Sequence, residues 1–189
     1  APCKGLIEIP FGTSALSRLP LGMKKICGEY FSQGVTSICE GAGSNDMAGM
    51  IKRGMKTGRF PARYILCPAL MENGEVPSRI KGKRMINGPV KLLMDGSIQC
   101  YTAALTNPYA SPAPGHEDEK DYCGYTHMSV EELRARLETI LDSSRSFAIH
   151  SNGDAALDKI LEALEGCRNL SRNNYKRNLI IHCQVVRED

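Results

Sequence analysis

The sequence predicts an α/β fold in which parallel strands alternate with helices. Three observations favour this class: short apolar runs of strand length, segments between them with apolar residues at helical spacing, and glycines or prolines at the junctions. A strand, a helix and a further strand in this order form a right-handed crossover unit, so the strands are expected to be parallel. Hydrophobic periodicity leaves two architectures open, a doubly wound open sheet and part of a (β/α)₈ barrel.

The predicted elements of the first half follow one another closely. Residues 1–20 are rich in proline and glycine and are expected to form an entry loop. A helix over residues 21–32 should end at Gly34, because glycine readily adopts the left-handed conformation that closes a helix. A strand over residues 35–39, a helix over 45–56 and a strand over 63–67 come next. Residues 72–88 are polar and are expected to be mostly loop.

The second half repeats the pattern around one long insertion. A strand is expected over residues 90–96, and residues 97–127 form a segment long enough to be a functional lid. Ser129 and Glu132 have the spacing of a capping box, which predicts a helix starting there. A strand over 146–150, a helix over 154–166 and a strand over 178–183 complete the pattern.

The length of 189 residues suits one domain with a sizeable core. The sequence begins without methionine and ends on Arg187, Glu188 and Asp189, directly after an apparent strand. We therefore expect residues 1–189 to be a single domain, the central part of a longer protein whose amino- and carboxyl-terminal portions are missing.

Composition excludes several functional classes. The net charge of +3 is small and scattered, which argues against a nucleic-acid partner. Apolar runs are too short to span a membrane. The eight cysteines form no C-x-x-C pair, and we find no signal peptide, so reduced thiols and a cytoplasmic location are expected.

Two predicted strands end on a histidine. His150 closes the strand over 146–150, and His182 lies at the end of the next strand. Strand alternation places His150 on the face of Ala148 and His182 on the face of Ile180. A lone strand-end histidine is usually a hydrogen-bonded rim residue. Two of them one crossover apart favour a ligand or metal site, because such sites occupy the carboxyl ends of parallel strands.

Lys91 lies between Val90 and Leu92 in a strand that should be buried. An unpaired ammonium there is costly. The lysine could pair with a carboxylate, lose its proton and act as a base, or carry CO₂ as a carbamate, an anionic ligand that can bridge two metal ions. Asp154 has a simple alternative role, capping the helix that follows it.

Several motifs in the order and spacing of one enzyme family run through the chain. The family's patterns are GVTS, VKL-x-x-DGS with TAAL-x-x-PY, IHAIGD-x-A and R-x-x-IEH-x-Q. The matching stretches are residues 34–37, 90–97 with 102–105 and 108–109, 149–156 and 177–184. Over most of residues 5–189 the chain thus resembles family 3 of the amidohydrolase superfamily, in the branch that includes N-substituted formamide deformylase.

The resemblance implies a metal-dependent hydrolase with a TIM-like (β/α)₈ barrel, of which the chain holds roughly strands two to six. Lys91 matches a strand-four lysine that is carboxylated in some members, and His150 and His182 match metal ligands. The implied cofactor is a divalent metal, for which zinc suits the imidazoles. Its bound water is the implied nucleophile, hydrolysing a carbon–nitrogen bond other than a peptide bond in a small amide-like substrate. Lys91, Asp95 and Asp154 are the catalytic candidates, and either aspartate can orient an imidazole through its other ring nitrogen.

The chain also departs from the family pattern. It has no His-x-His pair, which the family carries on its first strand, and the strand-eight aspartate would lie beyond Asp189. Ile181 replaces the glutamate of IEH, and Ser151 and Asn152 replace the alanine and isoleucine of HAIGD. We therefore expect about half of a metal site, and little or no activity in the isolated chain.

Two hypotheses from other classes stay open beside the hydrolase. A catalytically inactive binding or assembly module could use open barrel edges to pair with another chain or with the missing segments, because exposed strand edges favour such pairing. A flavodoxin-like sheet that binds a small ligand is the third, and the absence of a glycine-rich phosphate loop from the sequence counts against it.

Overall fold

A computed structural model describes residues 13–168, 170 and 177–188, with side chains from residue 22 onward. The α-helices in this part of the chain are α1 (Thr13–Ser32), α2 (Asn45–Lys56), α3 (Val130–Asp142) and α4 (Asp154–Glu165). The strands are β1 (Ser37–Gly43), β2 (Arg63–Pro68), β3 (Met85–Asn87), β4 (Val90–Leu93), β5 (Phe147–Ser151) and β6 (Leu179–His182), and a short 3₁₀ helix covers Ile98–Cys100.

The chain forms two compact units, each with its own parallel sheet. The first unit takes residues up to Pro68 together with Ser78–Gly88, and its sheet has the order β1-β2-β3. The second takes Ala69–Pro77 and the residues from Pro89 onward, with the order β4-β5-β6. Helix α2 lies between β1 and β2, α3 between β4 and β5, and α4 between β5 and β6, which confirms the predicted α/β class. The assignment of residues 1–189 to a single domain stays a prediction.

The core of the first unit is formed by its sheet, α2 and residues of α1. Ser44 caps α2 by accepting a hydrogen bond from the Met47 amide at 3.2 Å, so the helix starts where its apolar stripe begins. The buried residues of this core are Cys27, Ala48, Ile51, Phe60, Ala62, Tyr64, Leu66 and Met85.

The core of the second unit lies on the helix-facing side of its sheet. Residues of β4 and β5 alternate: Val90 and Leu92 are buried against the helices, whereas Leu93 on the opposite face is exposed. The predicted capping box is present at the start of α3, with the Ser129 and Glu132 side chains each bonded to the other's backbone amide. Other buried residues of this core include Met94, Leu133, Leu137, Ile140, Phe147, Ile149, Ala156, Ile160 and Ala163.

Two predicted loops were wrong in part. Residues 13–20 belong to α1, which runs through Pro20; a proline normally breaks a helix and it misled the prediction. Residues 1–12 of the expected entry loop lie outside the described residues. Within 72–88, β3 pairs with residues 64–66 of β2, and three residues are too few to show a strand periodicity. The Asn87 side chain also bonds both the amide and the carbonyl of Ile80, at 2.7 and 2.8 Å.

Residues 97–127 form the long loop that was predicted, with the 3₁₀ helix near its start. Three tyrosines and a histidine give it an internal aromatic stack: the ring centroids of Tyr101 and Tyr109 are 5.0 Å apart, and those of His116 and Tyr122 are 4.1 Å apart. The Tyr109 hydroxyl donates to the Ala103 carbonyl at 2.9 Å. These contacts give the loop a defined conformation.

Among the described residues, no helix combines the length and the apolar character needed to cross a bilayer.

Candidate active site

The two predicted histidines meet at the carboxyl ends of β5 and β6. The ring centroids of His150 and His182 are 4.6 Å apart, and the ring planes cross at 72°. Asp95, two residues beyond β4, lies beside them: one of its carboxylate oxygens is 3.6 Å from Nε2 of His150. Neighbouring parallel strands therefore bring two imidazoles and a carboxylate together, as the position of both histidines at strand ends predicted.

Backbone geometry at the end of β6 turns His182 towards its partner. In the parallel register His182 pairs with Ser151, and His150 pairs with Ile181, so in regular strands the two histidines would project from opposite faces. His182 and Cys183 instead have φ angles of 79° and 45°, values that non-glycine residues rarely adopt. The Cys183 amide holds this turn by donating to the Ser151 carbonyl at 2.8 Å. The left-handed turn accounts for the meeting of the two rings.

Asp95 links the end of β4 to the end of β5. Its side chain is buried, with only 1% of the residue exposed. One oxygen accepts the Asn152 amide at 2.9 Å, and the other accepts the amides of Gly153 and Ala104 at 2.8 and 3.1 Å. Three N–H donors compensate the buried carboxylate. Asp95 therefore fixes the backbone that carries His150 relative to the loop after β4.

One carbonyl oxygen fixes the tautomer of His150. Nε2 of His150 lies 2.7 Å from the Gly96 carbonyl oxygen, and a carbonyl only accepts, so Nε2 carries the proton in the neutral ring. The Asn152 amide nitrogen donates to the same oxygen at 2.8 Å and lies 3.1 Å from Nε2. In that tautomer Nδ1 of His150 carries the lone pair and is the atom that can bind a metal.

The electrostatic environment favours a neutral His182. Partial burial lowers its pKa, and the neighbouring His150 and Lys91 lower it further, against an opposing contribution from Asp95. A neutral imidazole is the protonation state that ligates metals.

Lys91 lies on β4, on the same face of the sheet as His150 and two residues before the position that pairs with it. It pairs with Ala148 of β5, next to the pair formed by Leu93 and His150, and only 7% of the residue is exposed. The sequence therefore identified a buried lysine on the side of the sheet that carries His150. Carboxylation of its amine stays a prediction.

Asp154 is directed towards the surrounding loops. Its oxygens accept the Thr106 amide and the Ala155 amide at 2.9 and 3.0 Å, the Thr106 hydroxyl, and Nη1 of Arg187 at 3.2 Å. Burial raises the pKa of Asp154, but the hydrogen bonds from Thr106, Arg187 and Ala155 outweigh it and hold the pKa below its usual value. Arg187 also contacts both oxygens of Asp158, at 3.0 and 3.1 Å. Asp154 thus joins the loop after β4, the start of α4 and the segment after β6.

The side chains at these strand ends include types that ligate metals in other proteins. His150 and His182 provide two imidazole nitrogens, and Lys91 lies near them. In the described part of the chain, no three His, Cys, Asp or Glu side chains come close enough together to hold a metal ion. The structure thus brings Lys91, Asp95, His150 and His182 together.

Sequence reasoning missed two contributors to this site. Asn152 follows the strand-end histidine by two residues and replaces an isoleucine of the family motif, so its departure from the pattern was a usable signal. Arg187 had no such signal, because its partners Asp154 and Asp158 lie on a helix that precedes β6.

The sequence was compared with protein families and with known proteins. The family model described as the amidohydrolase family matches residues 15–189. The putative amidohydrolase YtcJ of Bacillus subtilis (strain 168) is 24% identical over 131 residues, which cover 68% of this chain and 23% of that protein.

Two solved structures have the same fold. An uncharacterized metal-dependent hydrolase from Pyrococcus furiosus superposes with a TM-score of 0.66 at 21% identity, over 98% of this chain and 37% of that one. Another from Pyrococcus horikoshii OT3 gives 0.61 at 25% identity, over 88% and 32%. The chain spans well under half the length of each of these relatives.

Proposed function

Because the chain belongs to the amidohydrolase family, we propose that it contributes to the metal-dependent hydrolysis of a carbon–nitrogen bond, other than a peptide bond, in a small amide-like molecule. The observation that carries this proposal is the contact between His150 and His182, whose rings meet at neighbouring strand ends. A substrate such as an N-substituted formamide and a cytoplasmic location are further parts of the proposal.

The proposed metal ligands are Nδ1 of His150, an imidazole nitrogen of His182, and Lys91 as a carbamate. Held by these residues, a divalent metal such as zinc would lower the pKa of a water molecule and so supply a nucleophile for an amide-like carbon. The described residues supply two of the imidazoles that such a centre needs. The metal-dependent hydrolases with the same fold support this assignment.

The surrounding residues position these ligands. The Gly96 carbonyl accepts a hydrogen bond from Nε2 of His150, and Asp95 accepts hydrogen bonds from the backbone amides of Gly153 and Ala104. Asp154, a catalytic candidate from the sequence, acts in this proposal by holding the loop at Thr106 and the segment at Arg187. The loop over residues 97–127 shapes access for the substrate.

A metal-chelating substrate analogue tests the proposal. Acetohydroxamate resembles an amide and binds metals through two oxygens, so we expect it to bind the zinc-loaded chain and not the metal-free chain. His150→Ala and His182→Ala should each abolish this binding, whereas His116→Ala should retain it, because His116 lies in the 97–127 loop and pairs with Glu119. Binding without zinc, or equal loss in the His116 variant, contradicts the proposal.

Exposed apolar side chains favour a second candidate, the inactive assembly module. Leu93 of β4 and Leu179 of β6 are both 45% exposed, and these two strands form the edges of their three-stranded sheet. A partner chain, or another segment of a longer protein, could cover them. Sedimentation over a range of concentrations tests this: a species that stays monomeric at every concentration contradicts self-assembly.

A further inference from the structure

Two cavities are lined by residues of the first unit, whereas both histidines belong to the second. They lie between α2 and residues 78–85, which lead into β3. One has a volume of about 390 Å³ and the other of about 310 Å³. Lys52 lines both cavities, and we refer to the two cavities together as the groove.

Cations dominate the lining of this groove. The basic residues that line it are Lys52, Lys56, Arg79, Lys81, Lys83 and Arg84. The remaining lining residues are neutral, and no acidic side chain is among them. The whole chain has 24 basic and 21 acidic residues, so an even mixture would place acidic side chains here. Their absence leaves a local positive potential, because charges within about 8 Å of one another are only partly screened at physiological salt.

The lining of the groove also includes the hydrogen-bonded guanidinium of Arg84 and the apolar side chains of two methionines. Arg84 is half-buried, and its guanidinium is held by the Pro61 carbonyl and by the Met55 carbonyl at 3.4 Å. Met55 and the buried Met85 line the same cavity. Methionine side chains adapt to flat apolar groups and contact aromatic rings favourably. An ordered guanidinium beside lysines suits phosphate oxygens.

We propose that this groove is a binding site for a phosphorylated small molecule with a planar apolar group, of the chemical class of nucleoside polyphosphates. Each of the two cavities, at about 310 and 390 Å³, is within the size range of small-molecule sites. A small ligand fits better than a nucleic acid, because the net charge of the chain is only +3. Lys56 precedes β2, and Lys83 and Arg84 precede β3. This part of the groove therefore lies near the amino ends of strands of the first unit, and none of its lining residues is among the proposed metal ligands.

Titration with adenosine triphosphate tests the site, with inorganic tripolyphosphate as a second probe. We expect saturable binding of both compounds, with tighter binding of the nucleotide because of the two methionines. Replacing Lys52 and Lys83 together by glutamate should weaken nucleotide binding at least tenfold. The matched control is Lys120→Glu, an exposed charge reversal in the other unit, and it should change the affinity less than twofold.

Both substituted lysines are exposed, so the variants should fold, and circular dichroism confirms this before binding is measured. Backbone amide shifts in the nuclear magnetic resonance spectrum should change around Lys52 and Gly82 on titration. Three results would overturn the proposal: no saturable binding at millimolar nucleotide, an equal loss in the Lys120 variant, or tighter binding of a single-stranded RNA oligomer than of the nucleotide.

Discussion

At the scale of single residues, the site depends on one buried carboxylate, that of Asp95. It accepts hydrogen bonds from three backbone N–H groups, those of Ala104, Asn152 and Gly153. Burying a carboxylate without such donors carries a large cost in free energy. With them, Asp95 acts as a rigid joint between the strand that carries Lys91 and the strand that carries His150.

Removing this joint should cost stability. Asp95→Ala leaves the amides of Ala104, Asn152 and Gly153 without their acceptor, and we expect a loss of about 2–4 kcal/mol in the free energy of unfolding, because unsatisfied buried donors are costly. Urea unfolding followed by circular dichroism measures it. Asp118→Ala, at an exposed position, should change the same quantity by less than about 0.5 kcal/mol. Equal effects of the two substitutions would show that Asp95 does not have this role.

Asp154 should make stability depend on pH. Its pKa is lower in the folded chain than its usual value, so the unfolded chain binds more protons at acid pH. The stabilisation is therefore complete above the unfolded pKa of about 3.9 and is lost as the pH falls through the folded pKa. Urea midpoints measured at several pH values between about 5 and 2.5 test this. The decline should be shallower in Asp154→Asn, and an unchanged profile would contradict the assignment.

At the scale of elements, the turns after the strands position the side chains. Gly153 lies against the loop after β4, where an added Cβ would be 1.8 Å from the Ala104 carbonyl oxygen. Arg187 connects the segment after β6 to α4 through Asp154 and Asp158. Both contacts are between residues that are distant in sequence, so they keep the strand ends in fixed relative positions.

Two glycine substitutions should have opposite effects. Gly153→Ala forces the strand end away from the Ala104 carbonyl and should destabilise the chain by about 1–3 kcal/mol, the usual cost of overpacking. Gly49→Ala, within α2 where an added Cβ meets nothing within 4 Å, should stabilise it by about 0.5–1 kcal/mol, because alanine favours helix. Thermal unfolding compares the two variants. A shift of the same sign in both would contradict this packing.

The contact of Arg187 with Asp154 should contribute more to the free energy of unfolding than an exposed ion pair does. Arg187→Ala leaves the buried Asp154 with one donor fewer, and we expect a loss of about 1–3 kcal/mol. Arg168→Ala removes a pair with Glu138 in which the arginine side chain is 84% exposed, and it should cost less than about 1 kcal/mol. Chemical unfolding of both variants measures the two losses in the free energy of unfolding. A larger loss in Arg168→Ala would contradict the role given to Arg187.

Elements were predictable where the periodicity was long and failed where it was short or interrupted. The stripe of Leu133, Leu137, Ile140 and Leu141 and the capping box before it specified α3 from the sequence. The prediction began α1 too late because proline usually breaks a helix and Pro20 lies within it. It missed β3 because the pairing of β3 with β2 is a tertiary contact. The turn at His182 was unpredictable for the same reason, since alternation assumes extended backbone.

At the scale of the whole molecule, the sequence specified the class of site and only part of its construction. Strand-end histidines and a lysine in a buried strand pointed to metal chemistry, and the structure places His150 beside His182. The tautomer of His150 and the anchoring by Arg187 depend on contacts that only folding creates. The absence of a His-x-His pair from the sequence also limits the activity expected of these residues alone.

The isolated 189-residue chain should therefore have little or no hydrolase activity. Because the sequence has no His-x-His pair, His150, His182 and Lys91 should hold a catalytic metal less firmly than the complete ligand set of the family. Product formation from an N-substituted formamide, measured with added zinc, should stay at the level of His150→Ala. Rapid zinc-dependent turnover by the unmodified chain would refute the incomplete site.

The central claim is that His150 and His182 act together as metal ligands, and zinc titration of the metal-free chain tests it most directly. Calorimetry should show one zinc ion bound per chain, with the affinity reduced at least tenfold by either His150→Ala or His182→Ala and unchanged by His116→Ala. Zinc binding that is equally strong in the chain lacking His150 and in the chain lacking His182 would contradict the claim.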